Sequence, residues 1–223
     1  MQIHEFSLPL TCRYLVAAPE KLPADPAIVL SLHGYGSSAE TMLRLTTPTV
    51  EQDVIVASLQ APNQHYTGDG PTSGIAGYNW GIRQHHADSV RIHHDMVIKT
   101  LGELQARFGV APKRCFLMGF SQAVGLNYRF LGTHPEAVAG LIAICGGVPK
   151  DWEEPKYRNF PTPILHIARS EDEFFPVATV ETYPARLGAH ASDVEFHLIP
   201  GQHRYPSKAR ELVRGWMARV LAG

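Results

Sequence analysis

Cys115-Phe116-Leu117-Met118-Gly119-Phe120-Ser121-Gln122-Ala123-Val124-Gly125-Leu126-Asn127-Tyr128 reads as a buried strand, a very tight turn and the start of a helix, with a serine at the turn. A serine in that position is forced into a strained backbone conformation that lifts its hydroxyl clear of the end of a sheet. Small residues are needed two before and two after it, because strand and helix backbones nearly touch there. Gly119 meets that demand fully, and Ala123 almost does, carrying one methyl where the usual G-x-S-x-G has none.

Working outward, short β-branched runs alternate with longer helical patterns. Strands are expected at 13–17, 27–32, 53–58, 115–118, 138–145, 163–167 and 194–198. Helices are expected at 38–49, 89–108, 124–128, 178–187 and 207–221. This alternation specifies an α/β architecture: a mostly parallel central sheet with helices on both faces, in a single domain over residues 1–223. Right-handed crossovers carry the strand C-termini to one edge, where open α/β sheets place their sites. Residues 60–88 read as a long irregular loop rich in Gly, Pro, Tyr and His, and a loop of that length is more often functional than idle.

Composition narrows the class. The chain is 44% hydrophobic and 18% charged, with 20 Lys plus Arg against 21 Asp plus Glu. That balance argues against disorder and against nucleic acid or an anionic membrane surface as partner. No stretch approaches the ~20 apolar residues that span a bilayer. Residues 1–7 lack the basic start and apolar core of a signal peptide. Three cysteines cannot all pair, and Cys115 and Cys145 sit in apolar runs, so a cytoplasmic, reducing setting is expected.

Acyl transfer by a serine needs a base, an acid that orients the base, and donors for the oxyanion. In this architecture the chain order is Ser, then Asp or Glu, then His. Ser170-Glu171-Asp172-Glu173-Phe174-Phe175-Pro176 follows one predicted strand, and Gly201-Gln202-His203-Arg204-Tyr205-Pro206 follows another. Asp172 is the expected acid, with Glu171 its nearest competitor and Glu173 a solvated loop charge. His203 is the expected base, since His197 falls inside a strand. The oxyanion donors expected are the N–H groups of Gln122, at the start of the helix, and Tyr35, in Leu32-His33-Gly34-Tyr35-Gly36. His33 precedes the serine and ends a strand, so it reads as a packed structural residue.

Leu32-His33-Gly34-Tyr35-Gly36, Gly119-Phe120-Ser121-Gln122, Asp172 through Pro176 and Gly201-Gln202-His203 together resemble the phospholipase/carboxylesterase family of α/β-hydrolases, which includes acyl-protein thioesterases and small bacterial carboxylesterases. The resemblance runs over about residues 13–220. It implies a serine esterase with no cofactor and no separate lid domain, acting on a small-molecule carboxylic ester, thioester or lysophospholipid. It also implies that the 60–88 segment lies beside Ser121, with Gly34, Tyr66, Trp80, Phe174 and Phe175, together with Tyr35, shaping an aromatic pocket. The other role open to each ring is to anchor the loop. The chain departs from the family at Ala123, where glycine is usual, and at Ile167-Ala168-Arg169-Ser170, which lacks a His-Gly pair. A serine peptidase of related fold and a non-catalytic binding module are the rival readings. Monomer and homodimer both stay open. His85-His86 and His93-His94 suggest metal, but seven or eight residues of helix separate them by about 10–12 Å. A solvated helix start is preferred there, with no metal.

Overall fold

Ile28–Leu32 (β2) and Ile55–Leu59 (β3) have no exposed position, and Cys115–Phe120 (β6), Gly140–Ile144 (β7) and Ile164–Arg169 (β8) are buried throughout or in all but their last residue. Strands covered on both faces belong to a parallel sheet sandwiched by helices. The computed structural model describes residues 2, 4 and 6–223 and has that arrangement. Met1, Ile3 and Glu5, part of the N-terminal stretch read above, lie outside the described residues.

The remaining elements are β1 (Tyr14–Ala17), α1 (Ala39–Thr46), β4 (Asn63–Tyr66), β5 (Ala76–Asn79), α2 (His86–Phe108), α3 (Gln122–Thr133), α4 (Val177–Val180), α5 (Tyr183–Leu187), β9 (Val194–Ile199) and α6 (Ala209–Ala222). Seven strands form one sheet in the order β1-β3-β2-β6-β7-β8-β9. All neighbours are parallel except β1, which pairs antiparallel with β3.

Alternate strand residues sort to opposite faces, as the period-2 geometry of a strand requires. Ile28, Leu30, Leu117 and Leu141 pack with Val97 and Leu101 of α2 and with Val124 and Phe130 of α3. Val29, Phe116, Met118 and Ile142 pack on the other face with Met42 of α1 and with Val213, Trp216 and Met217 of α6.

The register sets the active edge. Leu32 pairs with Leu59 and Gly119, Phe120 with Ile144, and Ile144 with Ile167. The loops that follow these strands therefore emerge side by side. Among the parallel strands, chain order runs outward in both directions from the β2–β6 neighbour pair, to β3 on one side and through β7, β8 and β9 on the other, which makes that junction the topological switch point, where a crevice opens.

Three expectations are corrected. The 60–88 segment contains an antiparallel hairpin, β4–β5, whose short polar strands have no hydrophobic alternation to announce them. Helix α2 starts at His86 rather than Ser89, because its first turn is exposed and carries no apolar periodicity. The expected 178–187 helix is two short ones, broken at Glu181 and Thr182, with Pro184 in the first turn of the second. Among the described residues no helix is long and apolar enough to cross a membrane.

Gly140 in β7 faces the Trp216 indole so closely that a Cβ there would lie 2.5 Å from Cη2. Overpacking of this kind costs about 1–3 kcal/mol. Gly140→Ala should lower the urea midpoint of unfolding by that amount of stability without changing the m-value.

Candidate active site

Ser121 stands between β6 and α3 with φ 55 and ψ −115. Backbone in this region costs a non-glycine residue about 1–3 kcal/mol and persists only where its surroundings over-determine it. Its N–H donates to the Ile144 carbonyl at 2.9 Å, and its own carbonyl accepts from Val124 N–H at 3.1 Å. Beneath it, a Cβ on Gly146 would fall 2.3 Å from Val124 Cβ and 2.7 Å from Ser121 O, so only glycine lets the loop after β7 pass. Cys145, one residue earlier, is itself at φ 49. Its buried thiol is pushed up to about 12, first by desolvation and then by the charge of Asp172, and it donates to Arg204 O at 3.5 Å. Ala123 is fully buried, and its methyl is part of the core on the α2–α3 face. The departure from glycine is accommodated.

The Ser121 Oγ hydrogen points to His203 Nε2 at 2.8 Å, and His203 Nδ1 donates to Asp172 Oδ2 at 2.7 Å. A carboxylate only accepts, so the imidazole carries its proton on Nδ1 and offers Nε2 to the serine. The second Asp172 oxygen accepts from the backbone N–H groups of Phe174 and Phe175 at 2.9 and 3.0 Å. The Asp172 side chain is 2% exposed and that of His203 10%. Rings of Phe120, Phe174 and Phe175 surround the imidazole at centroid distances of 5.3, 4.9 and 5.7 Å. Glu171 does not reach the histidine; its N–H closes the Asp172 loop on Gly201 O. Glu173 is more than the solvated charge expected. Its carboxylate accepts the backbone N–H of His203 at 3.1 Å, and bonds of that kind, first with its own N–H and then with that of His203, hold its pKa down.

Gly34 is buried against the serine: a Cβ there would lie 3.1 Å from Ser121 Cβ. The loop carrying Tyr35 thus adjoins Ser121, which Gln122 follows in the chain. His33 fixes that loop. Its Nδ1 donates to Gly34 O at 2.8 Å, which leaves Nε2 to accept from Ala61 N–H at 3.1 Å and from Gln60 Nε2 at 3.0 Å. Burial lowers its pKa to about 4, so the ring is neutral.

The Gln122 side chain does something the sequence reading did not assign to it. Its Oε1 accepts from Trp80 N–H at 3.0 Å, and its Nε2 donates to Gly81 O at 2.8 Å. These bonds staple the long 60–88 segment to the first turn of α3. Trp80 itself is 1% exposed and donates its indole N–H to His33 O at 2.7 Å, so its ring anchors the loop while also bordering a cavity of about 280 Å³ beside Gln122. Tyr66 and Phe174 are exposed, and Tyr35 is exposed with its ring 4.9 Å from that of His65.

A family model described as Phospholipase/Carboxylesterase matches residues 13–219. The chain belongs to the phospholipase/carboxylesterase family of hydrolases. Acyl-protein thioesterase 1 of Kluyveromyces lactis is 27% identical over 171 residues, covering 69% of this chain and 74% of that protein. NocK of Nocardia uniformis subsp. tsuyamanensis, which carries an esterase designation, is also 27% identical, over 74% of this chain but 45% of its own length. The chain therefore corresponds to less than half of NocK. Among solved structures, the carboxylesterase from Mesorhizobium loti superposes with a TM-score of 0.75 at 18% identity, over 94% of this chain and 95% of that one. Esterase PE8 superposes with 0.74 at 22% identity, over 96% and 100%. These likenesses speak for the α/β-hydrolase fold.

In this family member, His93 and His94 do not form the solvated helix start expected. Both lie further along α2, and His93 is 1% exposed, bonded through Nε2 to Asn127 Oδ1 at 3.0 Å. Burial, followed by the charge of His94, lowers the His93 pKa to about 3, and burial alone lowers that of His166 to about 3. For His33, His93 and His166 the folded pKa lies below the ordinary value near 6.5. Their contribution to stability is thus fully present above pH 6.5 and is lost as pH falls towards 4 to 3. Urea unfolding measured between pH 7 and 5 should show stability falling with acidification, with uptake of more than one proton on unfolding. A flat profile would contradict neutral burial of these rings.

Proposed function

We propose that the chain is a serine carboxylesterase in which Ser121 is the nucleophile, His203 the general base and acid, and Asp172 the group that orients and charge-stabilises the imidazolium. The hydrogen-bonded run Ser121–His203–Asp172, at 2.8 and 2.7 Å, carries this reading. His203 Nε2 takes the Oγ proton as Ser121 attacks the carbonyl carbon. The oxyanion is received by the backbone N–H groups of Tyr35 and Gln122. Collapse breaks the bond to the leaving group, which departs with the proton from Nε2. Water then attacks the acyl-enzyme by the same route and regenerates Ser121. Every proton moves through His203, so the sequence of steps needs no cofactor.

Thioesters and lysophospholipid esters fall within the same chemistry, and the Kluyveromyces lactis relative bears a thioesterase name. Cys12, Cys115 and Cys145 are all free, as a reducing compartment keeps them, which favours a cytoplasmic setting.

A fluorophosphonate probe should label Ser121 and no other residue, as read by peptide mapping. Asp172→Asn, which leaves the imidazole in the wrong tautomer, should cut kcat on a p-nitrophenyl ester by on the order of 10³–10⁴. Full turnover by Ser121→Ala would sink the assignment. Faster turnover of a chromogenic peptide anilide than of the ester would favour a peptidase instead.

A further inference from the structure

The cavity beside Gln122 lies between the exposed face of α3, the 80–83 loop and the start of α2. Trp80, Gly81, Arg83, His86, Gln122 and Arg129 are among its walls, and no carboxylate lines it. Its volume, about 280 Å³, sits just below the ~300–1,000 Å³ range of small-molecule sites.

Its side of the serine can be assigned from the proposed chemistry. His203 must hand its proton to the leaving oxygen, so the leaving group departs on the imidazole side, among Phe120, Phe174 and Phe175. None of those rings lines the cavity, and neither Ser121 nor His203 does; it meets the site through Gln122, the residue that follows Ser121 in the chain. In the proposed chemistry that leaves the cavity to the acyl side.

Its charge is one-sided. Arg129 is held by Asp151 through Nη2, while its Nη1 turns to Gly125 O at 3.2 Å, on the cavity wall. Arg91, nearby on α2, is paired with Asp88 and Asp95. Arg83 is exposed and, among the described residues, enters no ion pair. A cation with no partner, on the wall of a carboxylate-free cavity, is suited to a ligand's anion. The His86 pKa is lowered, first by desolvation and then by Arg129, with the Asp151 charge opposing.

We propose, on the strength of the esterase reading, that this cavity is the acyl subsite for a short acyl chain ending in a negative charge, with Arg83 as the specificity-determining cation. The substrates it fits are esters or thioesters of dicarboxylic acids, with the far carboxylate held by Arg83 while the near carbonyl is attacked by Ser121.

The test compares the mono-4-nitrophenyl ester of adipic acid with the same ester whose far carboxylate is capped as a primary amide. The wild-type chain should favour the acid over the amide in kcat/KM by ~2–5-fold, the span expected for a solvent-exposed charge pair. Arg83→Gln should bring the ratio close to one, and Arg83→Lys should restore part of it. Because Arg83 is exposed and unpaired, these variants keep the fold, which Arg129 variants, breaking the Asp151 pair, would put at risk. A wild-type ratio near or below one, or a ratio unchanged in Arg83→Gln, overturns the proposal while leaving the esterase reading intact. Turnover of neither ester, with Ser121 unlabelled by fluorophosphonate, overturns both.

Discussion

Keeping Ser121 in its strained backbone conformation requires β6, α3 and the loop after β7 to meet with almost no space between them. The cost, about 1–3 kcal/mol, is offset locally by the Ile144 and Val124 hydrogen bonds and by close contact with Gly146. The parallel register supplies the rest, because β7 ends level with β6 and so delivers the Ile144 carbonyl to the serine N–H. Move that register by one residue and the turn loses its main acceptor. The exposure of the hydroxyl is thus a property of the sheet as much as of the serine.

Around the strained turn, the polar groups that organise the edge are neutral or charge-compensated. His33 and His93 are uncharged rings whose hydrogen bonds join separate elements: His33 ties the end of β2 to the Gln60–Ala61 segment, and His93 ties α2 to Asn127 of α3. The buried carboxylate of the edge, Asp172, is met by two N–H groups and by His203. A buried charge left without such donors would be strongly destabilising. This division, neutral rings joining separate elements and one carboxylate met by three donors, lets the edge bury polar groups without leaving a charge uncompensated.

Much of this was legible in the sequence because it rests on order and periodicity. Fully apolar runs such as Ile28–Leu32 announce central parallel strands, and the order Ser121, Asp172, His203 anticipates that the three side chains meet in one hydrogen-bonded run. What escaped the reading has physical causes. The β4–β5 hairpin is polar and held by main-chain bonds, so it leaves no hydrophobic trace. The start of α2 is exposed for the same reason. Burial of His93 and half-burial of His94 depend on how α2 packs onto α3, which residue type alone does not reveal. Glu173 and the Gln122 side chain work through backbone partners far off in sequence. The Gly146-Gly147 pair after a strand was the one readable hint that a loop had to squeeze beneath the serine.

The bonds from Gln122 to Trp80 N–H and Gly81 O end on main-chain atoms. They are therefore blind to the side chains displayed elsewhere in the 60–88 segment. A clasp of that kind lets the segment lengthen, shorten or change its chemistry while the turn beneath it keeps its shape. The molecule is in this sense modular at one seam: a fixed chassis on the sheet side and an exchangeable cartridge in the 60–88 segment, held at the first turn of α3 by one glutamine amide and further back by the His33 ring and carbonyl.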